Sequence, residues 1–118
     1  MSKIVHIGNG AGFSGDRFDA AQALVQHLKS CDGPRYLMFE VLAERTIASA
    51  QKAKAANPDA GFSPYLDHYV IDILGDIQQA GITLVSNMGA ANPEAAARRI
   101  HELAAEQGLK PFKIAVLT

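Results

Sequence analysis

Short apolar runs separated by amphipathic helical stretches constrain this chain more than any single residue does. Lys3 to Ile7, Tyr36 to Glu40, Ile82 to Ser86 and Lys113 to Leu117 read as strands. Between them, Asp19 to Ser30, Ala43 to Ala56, Ser63 to Ala80 and Asn92 to Gly108 read as helices. The resulting order, β-α-β-α-α-β-α-β, predicts an α/β fold with a parallel β-sheet and alternating helices, either an open Rossmann-like sheet or part of a barrel. The run Tyr36-Leu37-Met38-Phe39 is nearly continuous in apolar residues, the pattern of a strand buried on both faces.

Helix boundaries carry their own chemistry. Ser63-Pro64 and Asn92-Pro93 each supply a capping side chain followed by a proline suited to the first helical turn. Gly81 suits the left-handed residue that ends a helix, and Asn57-Pro58-Asp59-Ala60-Gly61 is a breaker cluster. The inward stripes predicted are Ala21, Leu24, Val25 and Leu28; then Leu66, Val70, Ile73, Leu74 and Ile77; then Ala96, Ile100, Leu103 and Ala104. Gly75, inside the third helix, has no local rationale.

At 118 residues and 48% hydrophobic content, residues 1–118 suit a single α/β domain or the N-terminal part of a larger one. A net charge of -1, with Lys and Arg dispersed, offers no footprint for nucleic acid or an anionic membrane. No apolar run approaches the roughly 20 residues that span a bilayer, and no signal-peptide pattern opens the chain, so the expected location is cytoplasmic. The single cysteine, Cys31, has no partner for a disulfide and no ligand set around it. Thr118 follows directly on the last predicted strand, so the chain reads as cut short where a parallel sheet would place its next functional loop.

The first strand empties into Gly8-Asn9-Gly10-Ala11-Gly12-Phe13-Ser14-Gly15-Asp16-Arg17. Glycines lacking Cβ let backbone amides approach an anion or a carbonyl oxygen. Within it, Gly10 to Gly15 matches the dinucleotide pattern G-x-G-x-x-G, and Glu40 ends the next strand where a ribose-binding acid would stand. Counted from Gly8, however, the register is off by two, and Asp16 and Asp19 would repel a pyrophosphate, so NAD or NADP is the less favoured ligand. A glycine-rich turn that only lets strand and helix pack closely is the bland alternative.

Asp16, Arg17, Glu40 and Asn87 converge at one sheet edge, where α/β folds bind ligands. Arg45 can hold a carboxylate or phosphate there, or Arg45 or Arg17 can form a structural pair with Glu40. Glu44 suits a helix N-terminus. Ser14 lacks the surroundings of a hydrolase nucleophile and is expected to cap the following turn or donate to a ligand. His6 lies in a strand and reads as half-buried, and His27, His68 and His101 fall on helices as solvated residues with no metal-binding spacing.

Gly10 to Arg17, Phe39-Glu40-Val41-Leu42-Ala43-Glu44-Arg45-Thr46, Asn57 to Gly61 and Asn87-Met88-Gly89-Ala90-Ala91-Asn92-Pro93 together resemble the acyclic terpene utilisation AtuA family, over nearly the whole chain. The resemblance implies an N-terminal segment of a longer protein in the bacterial breakdown of acyclic terpenoids such as citronellol and geraniol, whose acids are handled as coenzyme A thioesters. On that reading Asp16 and Glu40 are the acid or base. Gly8, Asn9, Gly10, Gly12, Ser14, Gly15, Arg17, Arg45 and Asn87 hold an anionic or thioester-carbonyl group, with no metal. The implied partners are the remainder of the AtuA-like chain and other terpenoid-pathway subunits. A non-catalytic assembly module and a dinucleotide-binding oxidoreductase domain are the competing expectations.

Overall fold

The computed structural model describes residues 3–118. Three strands, β1 (His6–Ala11), β2 (Arg35–Phe39) and β3 (Thr83–Ser86), form an open sheet in the order β1-β2-β3. Both pairings are parallel, as the strand-helix alternation predicts. Five helices connect and follow the strands: α1 (Ala20–Lys29), α2 (Glu44–Ala56), α3 (Leu66–Val70), α4 (Leu74–Ala80) and α5 (Pro93–Glu106).

The inward stripes are where periodicity predicts them. Ala21, Val25 and Leu28 of α1, Leu66, Val70, Ile73, Leu74 and Ile77 of the α3–α4 region, and Leu103 of α5 join Leu37 and Phe39 in one buried core. Burying such a side chain contributes about 1.5–3 kcal/mol. Asn92 caps α5, its side chain accepting from the Ala95 amide at 3.3 Å. Gly81 ends α4 with φ +68°, a conformation cheap only for glycine.

Three expectations are corrected. First, β1 runs from His6 to Ala11, so Gly8, Asn9 and Gly10 belong to the strand and the loop begins at Gly12. Gly10 survives in this strand because a neighbour presses on its inner side: a Cβ there would stand 2.8 Å from the Phe39 ring, whereas one on Gly8 would make ordinary contact with Leu24 at 3.4 Å. The pairing also slips between Asn9 and Ala11, a bulge that bends the strand tip.

Second, the helix expected from Ser63 to Ala80 is two helices, with a turn over residues 71–73 between them. Its entry is offset too: Ser63 accepts from the Tyr65 amide at 3.3 Å and helical hydrogen bonding starts a turn later. Third, Lys113 to Leu117 is not a strand. An apolar run becomes one only when its backbone finds a ladder, and no pairing of this segment is present among the described residues. Leu117 stays 85% exposed.

The sheet has one covered and one open face. Gly8, Leu37 and Leu84 stand in register beneath the helices, whereas Ile7, Tyr36 and Thr83, then Asn9, Met38 and Val85, form the opposite rows. Ile7 is 71% exposed and Val85 47%. Among the described residues, no helix is long and apolar enough to cross a membrane.

Candidate functional site

A parallel sheet places its strand C-termini at one edge, and here those ends are Ala11, Phe39 and Ser86. The Glu40 amide extends the ladder by donating to Ala11 O at 2.9 Å. Beside Ala11 lies a cleft of about 330 Å³ whose wall includes Asn9, Gly10, Gly12, Asp16 and Arg17, at the start of α1.

The Gly12–Arg17 turn is folded around its own carboxylate. Asp16 accepts from the Gly12 amide at 3.0 Å and from the Arg17 amide at 2.8 Å. Those two hydrogen bonds, Gly12 first, hold its carboxyl below the usual aspartate range. The two amides that an anionic ligand would seek are therefore occupied by Asp16 itself. Arg17 turns outward onto Asp19, Nε to Oδ1 at 2.7 Å and Nη2 to Oδ2 at 2.9 Å. Asp19 consequently makes no side-chain cap on α1.

Tyr69 of α3, which sequence periodicity did not single out, holds the turn from below. Its hydroxyl accepts from the Gly15 amide at 3.1 Å and lies 3.3 Å from Asp16 O and 3.5 Å from Phe13 O. The side chain is 1% exposed; burial, the largest influence, pushes its pKa up. A buried tyrosine needs a partner for its hydroxyl, which is the one signal in the sequence that could have found it. Phe18 packs between Tyr65, His68 and Tyr69, with ring centroids at 5.6, 5.1 and 4.9 Å. Phe13 remains 61% exposed on the turn.

Glu40 and Asn87 meet, as their places at neighbouring strand ends predict. Asn87 Nδ2 donates to Glu40 Oε1 at 2.8 Å, and the Leu42 amide donates to the same oxygen at 3.0 Å. These bonds, Asn87 first, keep the Glu40 carboxyl below the ordinary glutamate range. Asn87 Oδ1 accepts from the Val41 amide at 2.9 Å. Glu40 and Asn87 do not line the cleft described above.

Other candidates stand apart. Among the described residues, neither Arg17 nor Arg45 pairs with Glu40. Arg45 is exposed on the first turn of α2, behind Glu44, the first residue of that helix. Ser14 makes no hydrogen bond within the described residues, so the expected cap is not formed; Gly15, with φ +83°, makes the turn. His27, His68 and His101 are exposed, and His6 is half-buried. No group of His, Cys, Asp or Glu among the described residues could hold a metal ion.

A larger cleft, about 700 Å³, lies along α4 and the chain after α5. Most of its polar groups are already spent on the fold: Gln78 bonds Lys110 in both directions, Gln107 donates to Ile71 O, and Asp76 pairs with Lys29. The smaller cleft at the strand ends is the site with chemistry to offer.

Residues 5–118 match the family model described as acyclic terpene utilisation family protein AtuA. No curated protein and no solved structure matches the chain.

Proposed function

The chain belongs to the acyclic terpene utilisation AtuA family, and from that premise we propose that it binds, and acts on, a terpenoid acyl-CoA in the cytoplasm. The observation that carries the reading is Gly12. This residue lines the cleft, nothing lies within 4 Å of where its Cβ would be, and its φ is not in the left-handed region. Neither packing nor backbone conformation demands glycine there, so the missing side chain serves an approaching ligand.

The chemistry follows from charge. Asp16 and Glu40 both have lowered pKa values, so at neutral pH both are ionised and can accept a proton or hydrogen bond but not donate one, the lowering itself weakening them as bases. The Gly12 and Arg17 amides become an oxyanion cradle when the Asp16 carboxylate moves off them. A preorganised oxyanion donor contributes about 2.7–4 kcal/mol to transition-state stabilisation, and displacing the Asp16 carboxylate from these amides subtracts from that figure here. The exposed ring of Phe13 beside the cleft offers an apolar surface to a branched hydrocarbon chain.

Thermal unfolding with and without geranyl-CoA, citronellyl-CoA, CoA, NAD and NADP tests this. Ligand at a hundred times its Kd adds about 2.7 kcal/mol of stability. Stabilisation by the terpenoid thioesters, lost in Gly12→Val, is the expected result; stabilisation by NAD or NADP alone sinks the reading in favour of an oxidoreductase domain.

A second reading, a non-catalytic assembly module, draws on the open sheet face carrying Ile7 and Val85, since parallel sheets are ordinarily covered on both sides. It predicts no thioester stabilisation and co-purification with a pathway subunit that an Ile7→Glu change abolishes.

A further inference from the structure

The tips of β2 and β3 are joined beyond their backbone ladder by two consecutive side chains. Ser86 Oγ donates to Phe39 O at 2.8 Å and accepts from the Met88 amide at 3.0 Å. The next residue, Asn87, receives the Val41 amide on Oδ1 and gives Nδ2–H to Glu40 Oε1. Its carbonyl and one amide hydrogen are thus committed within the protein. Glu40, by contrast, has both of its protein donors on Oε1, the second being the Leu42 amide. Oε2 has no protein donor among the described residues. A carboxylate held through one oxygen presents the other in a fixed direction.

We propose that Asn87 is a positioning residue that acts through Glu40, locking Oε1 so that Oε2 stands at the sheet edge as an acceptor for a hydrogen-donating group of the ligand. Asn87 does not, on this view, touch the ligand itself. The inference rests on the reading above that Glu40 is a working carboxylate. Its ligand chemistry is specific: an ionised oxygen selects a hydroxyl, amide or acidic C–H and repels a phosphate.

Asn87→Ala removes the donor to Glu40 without placing a charge beside it, whereas Asn87→Asp would raise the Glu40 pKa by like-charge repulsion alone. Carboxyl-carbon NMR titration of Glu40 is the first measurement, with Ser86→Ala as the comparison that loosens the strand tips without touching Glu40. Asn87→Ala is expected to raise the apparent Glu40 pKa, and Ser86→Ala to leave it in place. Should Asn87→Ala fold poorly, the near-isosteric and uncharged Asn87→Leu serves for the same titration. An unchanged Glu40 titration overturns the proposal.

A double-mutant cycle on geranyl-CoA stabilisation then asks whether the two residues act in series. Asn87→Ala should weaken binding in the native background and have little further effect beside Glu40→Gln. Additive losses would make Asn87 an independent ligand contact and overturn the positioning role. Absence of geranyl-CoA stabilisation in the unaltered protein defeats the acyl-CoA reading instead, and the NMR titration still decides the role of Asn87.

Discussion

The Tyr69 hydroxyl accepts a hydrogen bond from the Gly15 amide at 3.1 Å, so a core side chain of α3 fixes the crest of a turn 54 positions earlier in the chain. The contact links packing to site geometry, because the ring of Tyr69 lies 5.3 Å from that of Phe39 and 4.9 Å from that of Phe18. Tyr69→Phe keeps those ring contacts and strips only the hydroxyl. Losing the hydrogen bond of the exposed Gly15 N–H should cost about 0.5–1.5 kcal/mol, read as a lower midpoint in urea unfolding. Hydrogen exchange at the Gly15 amide should rise by more than the global loss accounts for. Equal protection in the two proteins would show that the turn holds itself.

Two glycines of one stretch should behave oppositely. A Cβ on Gly10 would meet the Phe39 ring at 2.8 Å, and overpacking of this kind costs about 1–3 kcal/mol. A Cβ on Gly12 meets nothing within 4 Å, so Gly12→Ala should change stability by no more than about 0.5 kcal/mol. Paired denaturation curves check the contrast; a Gly12→Ala protein as damaged as Gly10→Ala would assign Gly12 to the fold and remove its functional reading.

The same pair explains how far the sequence was legible. Periodic apolar side chains made the helical stripes readable, and Val25, Leu28, Leu74 and Leu103 are buried as expected. Glu40 and Asn87 were readable because strand ends are where α/β sheets gather chemistry. The strand containing Gly8 and Gly10 reads as a loop in sequence, since glycine carries no side chain to show a period of two. Tyr69 stayed hidden because the partner that fixes it is remote in sequence, and Lys113 to Leu117 has a strand pattern but no ladder to join. Local pattern specifies propensity; pairing is decided by what else is in reach.

Gly75, unexplained by the sequence, remains replaceable in the fold. It sits in the first turn of α4, and a Cβ there would find only Leu109 Cδ2, at 3.8 Å. That is ordinary contact. Gly75→Ala should therefore stabilise the protein by about 0.5–1 kcal/mol, through better helix propensity and a less disordered unfolded chain. A lower melting midpoint would point to a role for the open space beside Leu109.

Asp67 and Arg99 fasten α3 to α5, and their pairing predicts an acid-dependent stability. Arg99 Nη2 stands 2.6 Å from Asp67 Oδ2, and Arg99 Nε 3.1 Å from Oδ1. The guanidinium, as the largest influence, holds the Asp67 carboxyl below its ordinary range. The side chains are 31% and 40% exposed for Arg99 and Asp67, so the pair is worth about 0.5–1 kcal/mol, the scale of solvent-screened bridges. Because the folded pKa is the lower one, the contribution is complete above the unfolded aspartate value, about 3.9. It is lost as pH falls through the folded value. Asp67→Asn should thus be less stable than the native chain at pH 7, with the gap closing below about pH 4. Urea midpoints across that range give the test, and a gap that stays constant down the acid limb would show that the pair contributes nothing through its charge.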